Sequence, residues 1–140
     1  MSPILEQMEE HVGLLETFFK AVDALNIEDI GKVKDLLHDD VVLNKIHDQT
    51  STVRGKDKVV EFLAEKMKTH QPRLKPITPV SVDSRTGTVS GVAMWEDHEP
   101  AGDIKELVDY SFAFTLGAKG WLLNNMYASP RESNKIKIAS

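Results

Sequence analysis

Four side chains carry most of the chemistry this sequence offers: His47, Asp97, Tyr110 and Asn124. Histidine alone titrates near neutral pH unaided, so His47, at the end of the run Val41-Val-Leu-Asn-Lys-Ile-His47, is the natural proton carrier if it is buried beside Asp97. Asp97 or Glu106 becomes a base where burial raises its pKa. Tyr110 brings a phenol able to donate to a carbonyl that is turning into an enolate. Asn124 brings an amide that, inside a strand, requires a partner or a ligand. Lys45 or Arg54 supplies a cation for an enolate or carboxylate oxygen.

Each of these groups also has a plainer reading. His47 adjoins Asp48 as a surface residue does, Lys45 suits a salt-bridged strand position, and Asp97 and Glu106 suit a rim. Tyr110 reads as core with a satisfied hydroxyl, Asn124 as an amide bonded to sheet neighbours, and Trp95 and Phe112 as core rather than pocket wall. The histidines at 11, 38, 47, 70 and 98 form no i, i+4 pair, so no metal site is expected; His47-Asp48 with His98 is the weak alternative. With no Gly-rich phosphate loop and no Gly-x-Ser-x-Gly elbow, nucleotide binding and serine hydrolysis are disfavoured. The absence of cysteine excludes thiol catalysis and disulfides.

These residues are positioned by a recognisable order of elements. Ser2-Pro3 starts a long helix with an apolar stripe of Leu5, Met8, Val12, Leu15, Phe19 and Val22, widened by Leu14, Phe18 and Leu25. Asn26 reads as the N-cap of a second helix that turns Ile27, Ile30, Val33 and Leu37 inward. A strand over 41–47 and a polar loop over 48–55 lead to a third helix, opened by Gly55 and stopped by Pro72, with Val59, Val60, Leu63 and Met67 on one side. From Leu74 the period changes to two. An edge strand with Pro76 and Pro79 is followed by a turn at 83–87, a strand from Thr88 and a loop at 98–103. The hairpin Glu106–Ser129 comes last, with Val108, Tyr110, Phe112 and Phe114 on one face of its first strand. Residues 1–129 are expected to form one domain and 130–140 a tail.

Composition sets outer bounds. With 17 basic residues scattered among 22 acidic ones and a net charge of -5, no nucleic-acid footprint is visible. No apolar run approaches a membrane span and the N-terminus lacks a signal peptide's plan, so a cytoplasmic, membrane-free protein is expected.

The order helix, helix, strand, helix and meander resembles the NTF2-like α+β cone, three N-terminal helices on a curved, mixed antiparallel sheet. The segments Leu36-Leu-His-Asp-Asp-Val-Val through Gly55-Lys-Asp-Lys-Val-Val-Glu-Phe-Leu and Phe112-Ala-Phe-Thr-Leu-Gly-Ala-Lys-Gly-Trp-Leu-Leu carry the resemblance, which covers roughly residues 5 to 129. Within that superfamily the chain is similar to the SnoaL-like cyclases and isomerases, and more narrowly to fungal meroterpenoid isomerases, which rearrange polycyclic ketones and lactones without a cofactor. The resemblance implies a pocket between the concave sheet face and the helices. Alignment with the ketosteroid isomerase branch puts Lys45 where that branch has its base, Tyr110 where it has a protonated carboxyl donor, and Phe18 or Phe19 near its oxyanion tyrosine. All three differ, so that branch's mechanism is not expected.

A period of two then carries Leu43, Lys45 and His47, Glu106 through Phe114, and Leu122, Asn124, Met126 and Ala128 inward. On the strand from Thr88 it selects Gly91, Ala93, Trp95 and Asp97, with Met94, Glu96 and His98 as the alternative register. The catalytic set is therefore His47, Asp97, Tyr110 and Asn124; Lys45, Arg54, Leu63, Trp95, Glu106 and Phe112 form the substrate-binding set. The expected activity is a cofactor-independent isomerase or cyclase of natural-product biosynthesis, acting on a hydrophobic substrate by enolate chemistry. A non-catalytic binding or assembly module and a dehydratase of the same fold are the rivals. Trp121, Leu123 and Tyr127 are expected to form an outer patch that pairs two copies.

Overall fold

The structure, a computed structural model, describes residues 3–44, 52–99 and 102–131. In chain order the elements are α1 (Pro3–Asn26), α2 (Ile30–Leu36), β1 (Leu37–Asn44), β2 (Val53–Arg54), α3 (Lys56–Thr69), β3 (Arg73–Asp83), β4 (Thr88–Glu99), β5 (Gly102–Gly117) and β6 (Gly120–Pro130). The strands form one sheet in the order β2-β1-β6-β5-β4-β3. β1 runs parallel to β6 and the other neighbouring pairs are antiparallel. The helices pack on one face of this mixed sheet, and residues of α1, α2, α3 and the inner strand faces share a single apolar cluster. Among the described residues no helix is long and apolar enough to cross a membrane.

Of the apolar residues expected on α1, the core takes Val22 and the widening pair Leu14 and Phe18 rather than Met8, Val12 and Phe19. Leu14 and Phe18 are fully buried and Val22 nearly so, whereas Met8, Val12 and Phe19 are 59%, 52% and 40% exposed. Two apolar rows run side by side on this helix. The sheet takes the one that seats Phe18 on Tyr110 and Phe112, at centroid distances of 5.5 Å each.

Asn26 does not cap α2. Asp29 does, its carboxylate accepting the Lys32 N–H. The Asn26 amide instead closes two 2.8 Å hydrogen bonds with Leu74, donating to its carbonyl and accepting its N–H. This clamp ties the end of α1 to the start of β3, and Ile27, expected inward, is left exposed. Asn26→Ala strips both Leu74 groups of their partner. Leaving a buried donor or acceptor unmade costs about 1–3 kcal/mol, so a loss of about 2–3 kcal/mol is expected for this half-buried pair, measured by urea unfolding.

β3 is an edge strand, as its prolines require, and its register against β4 shifts between Ile77 and Ser81, around Pro79. The turn before β4 depends on Gly87. Its φ is +72° and its carbonyl accepts the Phe114 N–H at 2.7 Å. A Cβ there would lie 2.2 Å from the Phe114 carbonyl oxygen, so no other residue fits without moving β5.

The last strand is where period two fails. The β5–β6 register shifts after Ala113: Ala113 faces Asn125, while Phe114 faces Leu123. Asn124 is the extra residue of a β-bulge, and everything before it changes sides. Leu123 is therefore 1% exposed in the core where Asn124 was expected, while Met126 and Ala128 face inward as anticipated. The expected outer patch comes apart for the same reason. Trp121 lies on the helix side, its indole N–H donating to the Glu10 carbonyl at 3.3 Å, and of the three patch residues only Tyr127 remains exposed.

Candidate active site

β4 and β5 pair over their whole length and set the inner face. Gly91 stands opposite Tyr110, Ala93 opposite Val108, Trp95 opposite Glu106 and Asp97 opposite Ile104. Ala93, Trp95 and Asp97 are buried, which is the first of the two registers weighed for this strand. The alternative set lies on the outer side. There Glu96 sits between Lys75 at 2.7 Å and Lys105 at 3.3 Å, and the hydrogen bond from Lys75 leads in holding its carboxyl below the usual range. His98 meets Asp103 at 2.6 Å.

Tyr110 is the most unusual group on the inner face. Its ring stacks on Phe18 with an interplanar angle of 12° and meets the edge of Phe112 at 5.8 Å. The hydroxyl lies above Gly91, where a Cβ would be 3.0 Å away, so the missing side chain makes its room. The hydroxyl oxygen is buried with no hydrogen-bond partner among the described residues. Such a group costs free energy unless a ligand or water completes it. Burial pushes its pKa up to about 12, so the phenol stays neutral and remains a donor at any physiological pH. An unfolded tyrosine ionises near 10, so the unfolded chain loses this proton first. The stability from keeping the phenol neutral is complete below about pH 10 and falls as pH rises towards 12. In a Tyr127→Phe variant, phenolate absorbance is therefore expected to appear only near pH 12 or with unfolding.

Asp97 is only 4% exposed, a rare state for a carboxylate. It does not meet Tyr110. Six strand positions separate Asp97 from Gly91, about 20 Å along β4, so the two polar groups mark opposite ends of the inner face. A small apolar cavity of about 30 Å³ on this face is lined by Leu25, Asn26, Leu63, Pro72, Leu74, Trp95, Phe112, Met126 and Ala128, and neither Asp97 nor Tyr110 lines it. That is room for a water-sized or methyl-sized group.

Three expected substrate contacts, Leu63, Trp95 and Phe112, thus converge on one cavity, and Tyr110 stands one ring behind it. Glu106 is half-buried opposite Trp95. Arg54 is exposed on the two-residue strand β2 and does not line the cavity. Asn124 is displaced by the bulge and donates to the Thr115 hydroxyl at the surface, so it does not join Tyr110. Lys45 and His47 lie outside the described residues. Among the described residues no group of three His, Asp or Glu side chains is placed to hold a metal. Two members of the site escaped the sequence reading. Asn26 was taken for a helix cap, and Gly91 for a floor residue rather than the seat of a hydroxyl.

The described residues have the NTF2-like fold, an α+β cone with three helices on a curved, unclosed sheet. An LEH-like epoxide hydrolase from Mycobacterium tuberculosis superposes with a TM-score of 0.73 at 16% identity, over 91% of this chain and 90% of that one. A Streptomyces avermitilis protein provisionally described as a dehydratase of the NTF2-like family gives 0.69 at 19% identity, over 87% and 95%. A Sinorhizobium meliloti protein provisionally described as a polyketide cyclase gives 0.64 at 15%, over 81% and 93%. No family model matches the chain, and no curated protein matches it by sequence. Identities this low establish the fold, and the fold alone assigns no reaction.

Proposed function

We propose that the chain is a cofactor-independent isomerase or cyclase acting on a hydrophobic polycyclic substrate, of the meroterpenoid or polyketide kind, by proton removal next to a carbonyl. The observation that carries this reading is the Tyr110 hydroxyl, buried, neutral and unpartnered among the described residues, between the aromatic rings of Phe18 and Phe112. A donor in that state is matched by a ligand carbonyl whose oxygen gains charge as an enolate forms. Trp95 and Phe112 supply flat apolar walls, while the buried Asp97 carboxylate, about 20 Å along β4 from the Tyr110 position, is too far to take the proton next to a carbonyl held there. His47 and Lys45 are retained as a proton carrier and an oxyanion contact on the strength of the sequence pattern alone. The fold neighbours' cyclase and dehydratase descriptions are compatible with this chemistry.

One observation favours the second reading, a non-catalytic binding or assembly module. A cavity of about 30 Å³ is far below the roughly 300 Å³ of a ligand pocket. Binding therefore separates the enzyme from an assembly module before turnover is assayed, and turnover separates it from a binding module. In a Trp121→Phe variant Trp95 is the only indole, because the chain has two tryptophans. Titration with a flat tetracyclic ketone is expected to change Trp95 fluorescence saturably. No change up to the ketone's solubility limit would remove the enzyme reading.

We also propose pairing of two copies through the outer sheet face. Half-buried Val42, Val92 and Met94 and exposed Tyr127 lie on that face, on the side of the sheet away from the buried cluster. Sedimentation as a monomer at micromolar concentration would contradict this.

A further inference from the structure

The row on α1 that the core leaves unused is continuous. Met8, Val12, Leu15 and Phe19 follow at intervals of four, three and four, and Met8, Val12 and Phe19 are 59%, 52% and 40% exposed. Glu9, Glu16 and Asp23, seven residues apart and all exposed, run beside it on one flank. None of these carboxylates forms an ion pair among the described residues. Scattered apolar residues on a surface are ordinary, but four in one row with an acidic margin are complementary to a cationic, apolar segment.

Residues 132–140 supply such a segment. Lys135-Ile-Lys-Ile138 lies in residues 132–140, outside the described residues, and alternates two cations with two branched apolar side chains. In an extended run Ile136 and Ile138 share a face about 7 Å apart, close to the roughly 6 Å between helix positions four apart. The long lysine stems reach sideways from such a run. The segment is also within range. Ala128 pairs with Tyr110, whose ring lies under Phe18, and Arg131 follows three residues later, about 10 Å of strand. From Arg131, Ile136 is at most about 17 Å further and Ile138 about 24 Å.

We infer that the C-terminal segment around Ile136 and Ile138 docks on the Met8–Phe19 row of its own chain's α1, with Lys135 and Lys137 against Glu9, Glu16 and Asp23. This docking is independent of the proposed reaction, since none of the four row residues lines the cavity.

Because the chain has no cysteine, cross-linking reads this contact without background. A Phe19→Cys/Ile136→Cys variant, oxidised at low micromolar concentration, is expected to close an intrachain disulfide about ten-fold faster than a Lys32→Cys/Ile136→Cys control, through the raised local concentration. Molar salt, or Glu16→Lys with Asp23→Lys, should remove most of that difference. Adding Lys135→Glu and Lys137→Glu to the reversed helix should restore it. Equal rates in the two pairs would overturn the docking, and a disulfide found only between chains would overturn docking on the chain's own helix. A spin label on Ile138→Cys gives an independent reading. Broadening of the Val12 and Leu15 methyl signals supports the inference, and unaffected signals contradict it.

Discussion

Replacing Tyr110 by phenylalanine is expected to cut turnover by two to three orders of magnitude while leaving the fold intact and slightly more stable. Removing one donor aimed at a developing oxyanion costs about 10²–10³ in rate in sites of this type. The opposite sign on stability follows from the same geometry. The hydroxyl is buried without a partner among the described residues, so its deletion relieves a desolvation cost of about 1 kcal/mol, while the ring keeps its stack on Phe18. The two signs together distinguish a ligand-directed hydroxyl from a structural one. A structural hydroxyl would make the variant less stable; a variant of unchanged activity would remove Tyr110 from the chemistry. Thermal unfolding and single-turnover conversion of a polycyclic ketone read the two effects separately.

The second large effect is on stability. Phe18→Ala is expected to cost about 3–5 kcal/mol, the usual range for a phenylalanine deleted from a packed core. Phe18 is fully buried and contacts the rings of Tyr110, Phe112 and Phe19 within 5.5 Å. Its neighbour Phe19 is 40% exposed, so Phe19→Ala should cost less than half as much. Urea unfolding of the two variants side by side tests which row of α1 faces the sheet. A larger loss for Phe19→Ala would mean that the helix is rotated by about 100°, one residue's turn.

That pair of residues also marks where the sequence stopped being readable. The order of elements, the strand types and the inner face of β5 follow from period and composition, because each strand there is apolar on one side only. α1 is apolar on two adjacent rows, and period alone cannot choose between them; the aromatic seat over Tyr110 and Phe112 does. β6 carried an available signal. Asn124-Asn125, two polar residues in succession inside a strand, break strict alternation, and the buried set Leu123, Met126 and Ala128 steps by three and then by two. A bulge at that point would have returned Asn124 to the surface and dissolved the Trp121–Leu123–Tyr127 patch. Asn26 was misread for another reason. An amide at the end of a helical run is a good cap by local rules, and its clamp on Leu74, forty-eight residues away, is visible only in three dimensions.

In the proposed function the neutral Tyr110 hydroxyl completes its hydrogen bonding on a ligand carbonyl. Infrared difference spectroscopy of a ¹³C-carbonyl-labelled polycyclic ketone reads that bond directly. On the wild-type protein the bound carbonyl stretch is expected to shift to lower frequency than in hydrocarbon solvent, and in Tyr110→Phe the shift should vanish while the ketone still binds. A bound carbonyl with the same frequency in both proteins would contradict the account.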